Sequence, residues 1–93
     1  MGLIVQIQGL YTPENDPIHC KGVIDILRQE QKVVYASWQI RDENGVQIGS
    51  VSRNYFVDKE KVSDIDAIEL ILNDIRNYSI GRKKVFSEIQ VLI

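Results

Sequence analysis

The sequence is short of the residues that most reactive sites need: one cysteine, one histidine, one tryptophan and two prolines in 93 positions. With Cys20 alone no intramolecular disulfide can form, so packing and hydrogen bonds must hold the fold and a reducing compartment is favoured. One thiol and one imidazole also fall short of the about four ligands that a structural zinc site takes. His19 and Cys20 are neighbours, and on an extended chain neighbours point to opposite faces, which disfavours a thiolate–imidazole pair. Glu14, Asn15 and Asp16 lack the alternating ligand set and the closing bidentate carboxylate of a calcium loop. There is no Gly-rich phosphate loop, no serine-centred elbow and no paired-carboxylate motif. The expectation is a chain without catalytic residues, metal or cofactor, and not an enzyme.

Long apolar runs are absent too. Nothing approaches the ~20 residues that span a bilayer. The opening Met-Gly-Leu-Ile-Val has no basic region before it, and Gln6 and Gln8 interrupt its apolar character, so it does not read as a signal peptide. Gln6 also stands where a myristoylation pattern wants Ser or Thr. These features predict a soluble, unanchored protein, cytoplasmic or in an assembled particle. Charge of one sign is missing as well: 11 basic against 13 acidic residues leave a formal net charge of −2. No overall field draws the molecule to nucleic acid or an anionic membrane, and any such binding needs a local patch.

What the chain does have is patterning. Hydrophobic content of 44% and charged content of 26% are those of a globular protein rather than a disordered one. Leu3, Val5 and Ile7 alternate with polar residues at one end, and Ile89, Val91 and Ile93 at the other, so a strand is expected at each. Between Leu10 and His19, Pro13, Asn15, Asp16 and Pro17 spell a loop. Cys20 to Val57 is rich in β-branched and aromatic residues and is broken twice, predicting three strands. The first break, Gln29-Glu30-Gln31, sets Leu27 opposite Val34 and Val23 opposite Trp38. Asp25 then falls opposite Ala36, which is unfavourable unless that face is wet or a bulge intervenes.

The second break, Asp42-Glu43-Asn44-Gly45, has two readings. A two-residue turn pairs Trp38 with Val51 and Val34 with Tyr55 but pushes Arg53 onto the apolar face. A type I turn with Gly45 as a bulge pairs Ile40 with Ile48 and sends Arg53 and Tyr55 to the other side; Asp at the first position and Gly at the fourth favour it. A one-residue slip would invert every side chain of the strand.

Ser63 to Ser79 reads as the one helix. Ser63 caps it, Asp64 and Asp66 suit its positive end, and Ile65, Ile68, Ile71, Leu72, Ile75 and Tyr78 share a face. Gly81 supplies a stop. The predicted fold is a single α+β domain over residues 1–93: a mainly antiparallel sheet of about five strands, open or curled into a partial barrel, with one α-helix packed on it.

One short helix cannot cover every apolar face in this pattern. Leu70 falls among Asp66, Asn73 and Asn77, Val33 and Tyr35 lie behind Val34 and Trp38, and Phe86 and Leu92 lie behind Ile89 and Val91. Leu70, Phe86, Leu92, Val33 and Tyr35 are therefore candidate partner-binding residues. The function expected is a structural or interaction module, a subunit of a homo- or hetero-oligomeric assembly such as a phage or viral particle. It would dock through the terminal strand edges or an apolar sheet face. The alternative is a small nucleic-acid-associated or regulatory protein using the basic run Arg82, Lys83 and Lys84, joined in space by Arg28, Lys32, Arg41 and Arg53 with Tyr35 and Tyr55 to stack on bases. The same run also suits the negative end of a helix dipole.

Overall fold

A computed structural model of the chain describes residues 2–12, 16–78 and 85–92. Five strands form one antiparallel sheet: β1 (Leu3–Thr12), β2 (Ile18–Glu30), β3 (Val33–Asp42), β4 (Gln47–Phe56) and β5 (Val85–Leu92). They lie in the order β4-β3-β2-β1-β5, and the sheet stays open with β4 and β5 as its edges. A single helix, α1 (Asp64–Tyr78), packs on one face. The predicted α+β architecture is thus the one observed, without the curl into a barrel.

Helix length follows from this order, because α1 carries the chain from one edge of the sheet to the other. Four gaps of about 4.8 Å set the edge strands about 19 Å apart. Fifteen residues at a rise of about 1.5 Å give about 22 Å, enough to cross. The Ser63 hydroxyl caps the first turn, accepting from the Asp66 N–H at 3.1 Å. Gln29 Nε2 on β2 donates to Asp64 at 2.8 Å and fixes that end to the sheet.

Three bulges decide which residues face the helix. On β2, Leu27 is an extra residue between the pairs Ile26↔Ala36 and Arg28↔Tyr35. Beyond it Ile24, not Val23, lies opposite Trp38, and Asp25 pairs with Ser37 on the uncovered face. The predicted register is corrected, and the bulge removes the conflict that Asp25 posed. The hairpin itself is the tight Gln31-Lys32 turn, with Lys32 at φ 63°.

The β3–β4 turn combines both readings of its sequence. Gly45 donates to the Asp42 carbonyl and takes φ 82°, as in the turn with a glycine bulge. The Asp42 carboxylate accepts from the N–H groups of Asn44 and Val46. A second bulge at Ile48 then shifts the register, pairing Ile40 with Gly49, Trp38 with Val51 and Val34 with Tyr55. Tyr55 is buried and Arg53 shares its face, which overturns the expectation that both point away from the core. Gly49 lets the Trp38 ring pack closely, since a Cβ there would stand 3.1 Å from it and the ring would have to give by a few tenths of an ångström.

The third bulge lies in β5, where the register to β1 shifts between Gln8 and Leu10 and Glu88 adopts φ 51°. It reverses the inward parity, so Phe86 and Ile89 both face the helix. Phe86, expected on the surplus side, is 4% exposed and sits in the core against Tyr11 and Tyr78.

The helix is also rotated from the expected arc. Ala67, Ile71, Leu72 and Ile75 are buried, whereas Ile65 is 74% exposed. Leu70, placed by the pattern on the wet side, is half-buried and packs against the core. Asp74, on this side of the helix, bonds to Trp38 and Tyr55 of the sheet. The core is then continuous from Val5, Ile7, Ile24 and Ile26 through Trp38 and Ile40 to α1, each fully buried isoleucine contributing about 1.5–3 kcal/mol.

Candidate functional site

The helix-covered face holds one polar centre. Trp38 Nε1 donates to Asp74 Oδ2 at 3.0 Å, the Tyr55 hydroxyl donates to the same oxygen at 2.6 Å, and the Arg53 guanidinium lies 3.5 Å from Oδ1. Burial and then the Asp74 carboxylate push the Tyr55 phenol well above its ordinary value, so it stays a donor. Tyr78 packs edge-on against Trp38 with ring centroids 5.0 Å apart. Among the described residues the contacts of this carboxylate are with Trp38, Tyr55 and Arg53, and Asp74 lines none of the four grooves described. Its chemistry is to fasten α1 to β3 and β4, through part-buried charge-assisted bonds whose loss would leave the Trp38 and Tyr55 donors without their acceptor. The helical spacing Ile71-Asp74-Ile75-Tyr78 is the signal that would have found it.

The opposite face of the sheet carries no helix, and its outward residues form rows across the strands. One row runs Ser50, Gln39, Val23, Gln6, Leu92. The next runs Gln47, Arg41, Lys21, Gln8, Gln90. On the other side lie Ser52, Ser37, Asp25 and Ile4. In the middle of this face amides, hydroxyls and charges surround Val23, and Leu92 and Ile4 are the apolar residues beside it. Shallow grooves cross the face, one of them among Asp25, Ser37, Gln39, Ser50 and Ser52. Another, of about 480 Å³, lies among Gln8, His19, Lys21, Glu43, Glu88 and Gln90. A third, of about 260 Å³, lies among Gln6, Lys21, Val23, Gln39, Arg41 and Leu92.

Apolar surface also gathers at the β2–β3 hairpin end. Val33 pairs with Phe56 and Tyr35 with Asn54, placing both pairs on the uncovered face. Phe56 is 79% exposed, Leu27 is exposed on its bulge, and the Arg28 guanidinium lies 4.2 Å from the centre of the Tyr35 ring. Of the candidate partner-binding residues, Val33 and Tyr35 meet here. Leu92 is on the same face but at β5, on the far side of the sheet, while Leu70 and Phe86 pack inward. Phe56 and Leu27 were missed, since only the register shows that they border Val33 and Tyr35.

Of the residues of the alternative reading, Arg28 meets Tyr35, and Arg53 lies 5.8 Å from the centre of the Tyr55 ring. Arg82, Lys83 and Lys84 lie outside the described residues. Arg53 is engaged by Asp74, Tyr55 is buried, Arg28 pairs with Glu30 at 3.4 Å, and Arg41 lies three residues or more along the sheet from them. His19 is exposed, while Cys20 is buried, its thiol pushed up by burial and drawn partly back by a hydrogen bond with the Gly9 backbone. Asp16 is exposed; Glu14 and Asn15 lie outside the described residues. No group of three or more potential metal ligands occurs among the described residues, and none of their helices is long and apolar enough to cross a membrane.

The two edges differ. β5 is broken by its bulge, whereas β4 runs from Gly49 to Phe56 without a bulge, a proline or a lysine. Its one charge, Arg53, points to Asp74. From Gln6 to Thr12 the terminal strand β1 lies inside the sheet between β2 and β5, so among the described residues β4 and β5 are the edge strands and β1 is open only at Leu3 to Val5. In comparisons with family models, curated proteins and solved structures, the chain matches none.

Proposed function

We propose that this chain is a non-enzymatic interaction module, a subunit of a larger protein assembly, that docks through the open edge of β4 and the adjoining patch of Val33, Tyr35 and Phe56. The observation that carries this reading is an edge strand with no strand beyond it among the described residues, ending in a phenylalanine that is 79% exposed. An unpaired edge presents a row of backbone donors and acceptors, and natural sheets blunt such edges with lysine, proline or bulges unless a partner strand covers them. β4 has none of these between Gly49 and Phe56. A large exposed aromatic beside two half-buried apolar residues is the composition of an interface centre. A second copy meets the requirement most simply, with β4 against β4 about a two-fold axis.

Light scattering after size exclusion tests this. The proposal expects a dimer or higher oligomer that the double substitution Ser52→Lys, Phe56→Asp converts to monomer while Trp38 fluorescence stays native. A wild-type monomer at the highest soluble concentration overturns the self-assembly reading.

A further inference from the structure

Away from the β4 edge, the middle of the uncovered face carries a charge arrangement that the fold does not use. Lys21 and Arg41 are direct cross-strand partners, both exposed and both pointing away from the helix. Like charges so placed cost rather than gain stability. Neither forms an ion pair with a described carboxylate. Arg41 is anchored by the Gly45 carbonyl at 3.0 Å and by Gln39 Oε1 at 3.5 Å, and Lys21 has no partner among the described residues. Glu43 and Glu88 line the adjoining larger groove with Lys21 without reaching it. Among the described residues lining the groove of about 260 Å³, Lys21 and Arg41 are the charged ones, beside apolar Val23 and Leu92 and the amides of Gln6 and Gln39.

We infer that this groove binds a carboxylate borne on an apolar chain, the acid group between Lys21 and Arg41 and the chain along Val23 and Leu92. Two cations held side by side offer charge-assisted hydrogen bonds to one anion, and its arrival relieves their mutual repulsion. Arg41 is already oriented by its bonds to Gly45 and Gln39, which lowers the cost of ordering it on binding. The apolar floor selects against small hydrophilic anions, and the amides can bond to a carbonyl of the chain. Two sources share this chemistry, a free aliphatic acid and the C-terminus of an extended peptide.

The experiment is a titration of the isotope-labelled protein followed by amide NMR, with octanoate, octan-1-ol, inorganic phosphate, and a leucine-rich tetrapeptide in free-acid and C-terminally amidated forms. Expected are saturable shifts at Gly22, Val23, Gln39 and Leu92 with octanoate at an affinity at least about tenfold above that for octan-1-ol, a gap one charge-assisted contact supplies. Lys21→Gln with Arg41→Gln erases that gap while the remaining spectrum shows the fold intact. Binding of the free-acid peptide but not the amidated one assigns the peptide source, and binding of octanoate alone assigns the free acid. Equal affinity for octanoate and octan-1-ol, preference for phosphate, shifts elsewhere, or an undiminished response in the double variant overturns the inference.

Discussion

The same five strands present two unlike faces. Toward the helix they offer Val5, Ile7, Ile24, Ile26, Trp38 and Ile40, closed over by α1 and fastened at one carboxylate, Asp74. Away from it they offer glutamines, serines and the Lys21–Arg41 pair around Val23, Leu92 and Ile4, with the most exposed aromatic, Phe56, at the hairpin end. Alternation along a strand divides residues between stability and surface chemistry one by one. Substitutions on the two faces should therefore separate cleanly into those that change folding and those that change binding.

The sharpest break of that comparison is Trp38→Ala, which opens a cavity in the core and strips Asp74 of a donor. Denaturant unfolding should show a loss of about 3–5 kcal/mol. Asp74→Ala comes next, leaving Trp38 Nε1 and the Tyr55 hydroxyl without their acceptor. The expected cost is about 1–3 kcal/mol for each stranded group, read by the same method. If this substitution proves neutral, the carboxylate is not what fastens the helix.

Alkaline titration sharpens the comparison further. The fold raises the Tyr55 pKa above the ordinary 10.0, so it favours the neutral phenol. That contribution is complete below pH 10.0 and is lost as pH climbs toward the folded value. Cys20, raised above 9.0 by burial, adds a loss of the same sign beginning lower. Thermal melts across this range should show declining stability in the wild type and a shallower decline in Tyr55→Phe. The smallest effects belong to the uncovered face: Gln6→Ala and Gln39→Ala should each stay within about 0.5 kcal/mol of wild type in denaturant unfolding.

Much of the fold was legible from alternation and helical spacing: five strands, one capped helix and the turn at Gly45. What alternation could not supply was register. Each of the bulges at Leu27, Ile48 and Glu88 inserts one residue and exchanges the faces beyond it, and a bulge is defined by the partner strand, which a single segment does not contain. That is why Phe86 and Tyr55 moved into the core and why Val23 gave way to Ile24 opposite Trp38. Glu88 takes its positive φ without being glycine, so no local residue type announced it. Gly9 is the nearest thing to a marker: it lies within the register shift, and a Cβ there would stand 2.9 Å from the Ser87 carbonyl oxygen. Asp74 was legible in principle, since a carboxylate within an apolar helical arc demands a buried donor. The candidate surface was legible only in part: Val33 and Tyr35 were singled out, but their neighbour Phe56 depends on the register that the Ile48 bulge sets.

Hydrogen exchange of the β4 amides at low and high protein concentration tests the central claim most directly, that this edge is where the molecule meets its neighbour. Protection of Gly49 to Phe56 should rise with concentration while the β1 and β2 amides, already inside the sheet, stay unchanged. Exchange along β4 that is independent of concentration, in a protein that nonetheless associates, would place the contact elsewhere and contradict the account.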